Sequence, residues 1–504
     1  MDSESKYALG GQAVGVPVPI PLSQRITKSL LHWGVETHGI SPTSLGQRLD
    51  KRLYHLFFVW FSANMNVLAF STGCAGPAFF NLGLRDTLLI LLLVDIVSSA
   101  IPAFFLPLIR LGNSAVFGPK LGTRAMVHAR FSWGYYGSMI PSILNVLSMQ
   151  GFLILNSIVG GQTLASVSHH LDDTTGIIII GVLSLILSFL GYKVIHWYET
   201  IAWIPNVIAF IVMLGVGGKH LKLSNYPTNP PPSVQTRISF TTFVASSIFS
   251  WCTMTPDYGV YHDAKASSYK IFFYTYFGLL TSSVPAQMLG GAFAAMAPAI
   301  SSWNEGFDDG NNLGGLISAI LSPTGGFGKF LVVLISLSIP SICAPTMYTF
   351  GTSFMAIAPI FARVPRYLFS IVSGVILIPL GILGAKRFFG TIVNVLSIIG
   401  YWTALFSAII IVEHVIFKKR NLQRYNVDHW DKPQWLPSGI AATLASLGGI
   451  GIIVPCMSQA WYIGPIAKHT GDIGVFVGFL LAGILYFLIR LGEVNYLQVT
   501  SKAS

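Results

Sequence analysis

Apolar residues in this chain come in long runs rather than in the short periodic clusters of a soluble core, and brief polar segments separate them. A run of about 20 apolar residues is the length of a helix that crosses a bilayer. Such runs are legible near 54–80, 86–109, 137–166, 175–192, 199–217, 241–262, 270–299, 326–359, 367–385, 391–416, 438–457 and 473–492. Two of them carry their own interruption. The first holds the glycine-rich stretch FSTGCAG, from Phe70 to Gly76, and the sixth holds SWCTMTPDY, from Ser250 to Tyr258. A helix broken inside a membrane frees backbone groups that only protein or a water-lined cavity can satisfy. Breaks at corresponding places in two halves of a chain predict a transporter whose binding site lies at the breaks.

Composition agrees with that pattern. Hydrophobic residues make up 53% of the 504 residues and charged residues 10%, where a soluble domain carries about 25% charged residues. Mean hydropathy is +0.65. The expectation is an all-α polytopic membrane protein with a polar tail over 1–53 and a transport core over 54–416. A polar loop over 417–437, two further spans over 438–492 and a short tail over 493–504 complete it. Segments on the N-terminal side of the membrane hold 22 of the 30 Lys and Arg, which predicts that both termini are cytoplasmic. The net charge of +11 then sits in loops facing anionic lipid. It implies no nucleic-acid partner, because no basic segment is interleaved with aromatics as a stacking platform requires.

Enzyme signatures are missing from the sequence. There is no HExxH zinc helix and no Gly-Lys-Ser/Thr phosphate loop, so the reading is a non-enzyme without a cofactor, driven by an ion gradient. The four cysteines, Cys74, Cys252, Cys343 and Cys456, have neither metal nor disulfide spacing and are expected to pack as small apolar side chains.

Ionisable residues inside apolar runs usually face a pathway or the bundle interior. Asp95 sits near the middle of the second run, Glu199 opens the fifth, and Glu413 with His414 lies at the end of the tenth. A buried carboxyl of this kind can load and release a proton in a transport cycle, and interhelical hydrogen bonding is the plainer alternative for each. In the third run Asn145, Met149, Phe152 and Asn156 are spaced 4, 3 and 4 apart, on one helical face. A ring one turn from a carboxamide offers a flat heteroaromatic ligand a stacking surface beside a paired donor and acceptor. Trp251, in the second break, is placed to cover the ligand's other face. Asparagines in membrane helices also bond neighbouring helices, and that reading stands beside the first.

Several stretches carry a resemblance over nearly the whole chain. WFSANMNVLAFSTG lies in the first run, FGPKLGTRAMVHARFSWGYYG leads into the third, and LNSIVGGQTL closes it. GYKVIHWYETIAWIP and YWTALFSAIIIVEHVIF follow. In this order they resemble the fungal purine-cytosine permease branch of the nucleobase-cation-symport-1 transporters. The resemblance implies a LeuT-like bundle of 12 transmembrane helices. Two inverted five-helix repeats, about 54–217 and 241–416, would be followed by two C-terminal helices, with helices 1 and 6 broken. The family's substrate residues fall on Ser71, Phe152, Asn156 and Trp251, and its proton-coupling carboxylate falls on Glu199 rather than Asp95; the break itself predicts freed backbone near Gly73 for the substrate to bond. A plasma-membrane location is implied as well.

Two spans depart from the family pattern, the third and the eighth. Phe152 stands where a tryptophan is usual, and Cys343 and Thr346 replace asparagines that flank Pro345. A site built to bond a polar edge loses heavily when the bond is missing. The resemblance implies a purine nucleobase or cytosine as the substrate, and these departures open a vitamin B6 pyridine or another planar heterocycle as the alternative. An amino-acid carrier of the same fold and a ligand sensor that moves nothing also remain open.

Overall fold

The computed structural model describes residues 39–103, 114–168, 170–189, 192–222, 226 and 231–503, with backbone alone at 114–116, 192–197, 199 and 496–503. The first 38 residues of the predicted tail, the end of the second predicted span and the Glu199 side chain lie outside the described residues. Each predicted run contains a helix. In chain order the helices are α1 (Tyr54–Asn64), α2 (Val67–Ala78), α3 (Leu84–Ser98), α4 (Ala125–Gly137), α5 (Met139–Ala165), α6 (Asp173–Phe189), α7 (Tyr192–Gly217) and α8 (Val234–Phe249). They continue with α9 (Ser268–Met296), α10 (Ser301–Phe307), α11 (Leu313–Leu321), α12 (Gly326–Ser338), α13 (Pro340–Ile357), α14 (Arg366–Ala385), α15 (Phe388–Val412), α16 (Ile440–Cys456) and α17 (Gly474–Ala503). Among the described residues 7 helices are long and apolar enough to cross a membrane, or up to 9 if each of two bent pairs is one span.

The first break is real but displaced. α1 and α2 meet at a 50° bend, and the residues between them are Met65 and Asn66 rather than the glycine run. Asn66 caps α2: its Oδ1 accepts from Ala69 N at 2.9 Å, the role asparagine performs well at a helix start. The carbonyl freed at Met65 accepts from Asn206 Nδ2 of α7 at 2.9 Å. Ser338 Oγ donates to Asn206 Oδ1 at 3.1 Å and holds that amide in place. The FSTGCAG stretch is helical inside α2, and its glycines permit close packing instead. A Cβ on Gly73 would lie 1.8 Å from the Gln287 carbonyl oxygen of α9. Gly73 therefore presents no freed backbone.

The second break falls at its predicted place. α8 ends at Phe249, a 3₁₀ turn covers Ser250–Thr253, and turns carry the chain on to Tyr261. Asp257 pins this segment, because its Oδ1 accepts from Ala125 N, the first amide of α4, at 2.7 Å. Gly118 lets the approach close, since a Cβ there would lie 2.1 Å from the Pro256 carbonyl oxygen. Two stretches far apart in sequence thus meet backbone to backbone.

α5 runs through the centre, 78% of its span buried, and packs on α6, α13 and α14. Helices also fold where plain connections were predicted: Ser114–Leu121 and α4 ahead of the third run, and α10 and α11 between the seventh and the eighth. Leu313, Leu316, Ile317, Ile320 and Leu321 of α11 are buried, and Gly314 lies close over the Gln162 carbonyl of α5. At the other end, α17 continues to Ala503, so the predicted tail is helical over 493–503. Glu413 ties α15 to α17 by accepting from Tyr486 Oη at 2.9 Å, with Arg490 Nε at 3.5 Å. Its place is structural.

Candidate substrate site

Two small cavities meet at Trp251. Asn66, Thr72, Phe152, Ser247 and Gln287 line the one on the α2 side. Ser62, Met254, Tyr258, Ser341 and Thr346 line the one on the α1 side. Trp251 and Ala63 belong to both walls. As they stand the cavities hold about 20 and 30 Å³, room for a water molecule or two, so a heterocycle enters only as the walls part. Neither wall holds a charged side chain, so the site suits a neutral, partly polar, flat ligand.

The break in α8 is what brings Trp251 here. Its ring stacks on Phe152 of α5, with centroids 5.9 Å apart and planes at 26°. It also meets Trp60 of α1 edge-on at 5.7 Å, and Trp60 meets Tyr258 at 5.3 Å. A row of four rings therefore crosses the bundle at the two breaks. A ligand ring sandwiched between Phe152 and Trp251 would need two contacts of about 3.5 Å, roughly 7 Å in all. As they stand, the two rings are stacked on each other, closer than that gap.

The remaining sequence candidates divide. Thr346 lines the α1-side cavity, with its Oγ1 donating to Ile342 O at 2.7 Å. Cys343 is fully buried and its thiol faces Ser184 of α6. Ser71 is fully buried with Oγ donating to Leu68 O at 2.7 Å, so its hydroxyl is committed to its own helix. Asn156 is buried, with Nδ2 donating to Phe152 O at 2.9 Å and Oδ1 left without a partner. Asn145 donates to Ser353 Oγ of α13 at 2.8 Å, the interhelical bond that was its plainer alternative. Asp95 is fully buried in α3, behind Gln287 rather than on a cavity wall. All four cysteines are buried and free.

Asn66, Thr72, Gln287, Met254, Tyr258 and the bracing Asn206 were missed. Asn66 had a signal, an asparagine just before an apolar run, but the neighbouring glycines offered a competing break. Gln287 is a lone amide in the apolar segment SSVPAQMLGG, a place where polar residues mark function.

Comparisons with known proteins agree with this architecture. The family described as "Permease for cytosine/purines, uracil, thiamine, allantoin" matches residues 46–478. The purine-cytosine permease fcyB of Emericella nidulans is 34% identical over 94% of this chain and 91% of its own length. The vitamin B6 transporter TPN1 of Saccharomyces cerevisiae is 26% identical over 92% of this chain and 88% of its own length. The inward-facing structure of Mhp1 superposes with a TM-score of 0.70 at 14% identity, covering 92% of this chain and 95% of that one. Mhp1 closed around bromovinylhydantoin gives 0.66 at 16% identity, covering 91% and 96%. These last two show the fold.

Proposed function

This chain belongs to the family of permeases for cytosine/purines, uracil, thiamine and allantoin, and on that premise we propose that it is a proton-coupled symporter importing a planar nitrogen heterocycle by alternating access. It is a multi-pass membrane transporter and not an enzyme. A purine nucleobase or cytosine is the first substrate class. The observation that carries this reading is the pair of uncharged, aromatic-walled cavities meeting at Trp251 between the two broken helices.

The proposed arrangement has twelve spans in two inverted repeats plus two C-terminal helices, in the plasma membrane with both termini cytoplasmic. The α2-side cavity then faces outward and the α1-side cavity inward. Substrate enters against Thr72, Ser247 and Gln287, and the Trp251 indole swings from Phe152 onto its ring. The ligand leaves past Tyr258 and Thr346. Coupling to protons rather than sodium is supported at the first break. Unwound carbonyls at such breaks hold the coupling cation in related architectures, and here the Met65 carbonyl is held by the Asn206 amide. Glu199 and Asp95 are the proposed proton-coupling carboxyls.

A vitamin B6 pyridine is the second reading. It is favoured by Thr346, which puts a hydroxyl in the inner wall, and by Cys343, which turns away from it. The test is uptake of labelled cytosine, adenine, hypoxanthine and pyridoxine into cells lacking their own carriers, with unlabelled competitors. Saturable nucleobase uptake that a protonophore abolishes supports the first reading. Uptake of pyridoxine alone replaces it with the second.

A further inference from the structure

Between α3 and α9 runs a seam of buried polar atoms without protein partners. Thr87 Oγ1 and both carboxyl oxygens of Asp95 stand on α3, and Ser283 Oγ and Gln287 Oε1 on α9. Exposure is 0% for Thr87, Asp95 and Ser283 and 2% for Gln287. The register is fixed by Gly291, where an added Cβ would lie 2.9 Å from Thr87 Cγ2 and 3.6 Å from Leu91 Cδ1. One turn along α3 from Leu91 is Asp95, and one turn back along α9 from Gly291 is Gln287. The Asp95 carboxyl faces the Gln287 amide. Gln287 in turn lines the α2-side cavity with Thr72, Phe152 and Trp251, and the close seating of Gly73 holds its backbone.

A carboxylate has only acceptor oxygens, and so has the Oε1 end of an amide. Buried acceptors without partners are costly, and a proton on the carboxyl lets its O–H donate to the unpartnered Oε1. The geometry points to Asp95 and Gln287 as a proton-operated recognition switch for the heterocycle, an inference that rests on the transport reading above. With a proton on Asp95, its O–H donates to Gln287 Oε1 and the amide NH₂ turns to the cavity. There it donates to a ring nitrogen or carbonyl oxygen of the substrate. Without the proton, the NH₂ donates to the carboxylate and Oε1 faces the cavity, acceptor against acceptor. The proton arrives from the aqueous phase open to the cavity before substrate binds. It leaves to water on the opposite side after substrate departs, so the carboxyl returns to its starting form and no substrate bond changes.

Other titratable groups on the elements packed against α3 are engaged or outward. Arg237 at the start of α8 pairs with Asp86 at 3.1 Å. Cys74 of α2 donates to Gly290 O at 3.3 Å, and Tyr276 of α9 donates to Ile96 O at 3.0 Å. Arg85, Tyr269, Lys270 and Tyr274 are exposed.

The test uses the purified full chain in lipid, with labelled adenine, cytosine and pyridoxine as binding probes at acidic and neutral pH. The wild type binds its probe about 5- to 150-fold more tightly at acidic pH, the span of an ordinary coupling between two sites, and D95N binds equally at both. A D95N protein that keeps the wild-type ratio overturns the switch. Infrared spectroscopy gives a readout that needs no substrate. The wild type shows the carbonyl stretch of a protonated carboxylic acid that D95N lacks and Q287L shifts, and a wild-type spectrum without that band overturns the switch. If no probe binds the wild type, the substrate reading has failed while the infrared result still decides this one.

Discussion

Trp251 stacks on Phe152 at 5.9 Å while separating two cavities that both touch its ring. The indole is therefore both a contact surface and a partition, and a ligand that stacks on it must first part it from Phe152. Stacking on an aromatic side chain is worth about 1 to 3 kcal/mol per base. Phe152→Ala raises the apparent KM about 5- to 150-fold with unchanged protein at the membrane. Trp251→Ala, which removes a wall of both cavities, raises it further. Uptake kinetics normalised to surface protein check this, and an unchanged KM in either variant removes that ring from the site.

Gly73 separates a packing role from a binding role. A Cβ there meets the Gln287 carbonyl at 1.8 Å, backbone against backbone, where neither partner can turn aside. Overpacking of this kind costs about 1 to 3 kcal/mol or more. Gly73→Ala lowers the yield and thermal stability of folded protein in detergent. A well-folded Gly73→Ala protein with a raised KM would instead place Gly73 against the substrate, as the predicted break at the glycine run implied.

Thr346 and Cys343 respond differently to the same substitution. Thr346→Asn adds a carboxamide to the α1-side wall, and one neutral hydrogen bond of about 0.5 to 1.5 kcal/mol shifts the ratio of adenine to pyridoxine uptake about 2- to 12-fold towards adenine. Cys343→Asn puts an amide into a fully buried contact with α6 and reduces folded protein without changing that ratio. Ratios of uptake, with surface levels measured in parallel, distinguish the two.

Asn206 braces the first break through Met65 O and Ser338. Asn206→Ala leaves that buried carbonyl unpaired, at a cost of about 1 to 3 kcal/mol, and lowers stability and uptake together. In the wild type, replacing external sodium by choline leaves uptake unchanged, because an amide holds the freed carbonyl. Sodium-dependent uptake would contradict this account of the break.

The architecture was largely legible because run length and glycine or proline placement report directly on bilayer geometry. The second break was found because SWCTMTPDY carries its own proline and the helix does stop at Phe249. The first was misplaced because glycine has two uses in a membrane helix. In FSTGCAG it serves close approach to α9, and the interruption is made by the Asn66 cap. Phe152, Trp251 and Thr346 were placed in or beside the cavities by local spacing and family pattern. Gln287 and Asn206 were not, since each acts through a partner more than 100 residues away. α10 and α11 were not legible because they are short, and the apolar face of α11 has meaning only against α5 and α7, with α10 packed on α11.

Accumulation of labelled adenine, cytosine or pyridoxine in proteoliposomes holding the purified chain, under an imposed proton gradient acidic on the substrate side, tests the central claim most directly. The account predicts concentrative uptake of a heterocycle that collapses with the gradient, persists without sodium, and is lost in Glu199→Gln. Accumulation indifferent to the proton gradient, or no flux of any planar heterocycle through a folded protein, would contradict it.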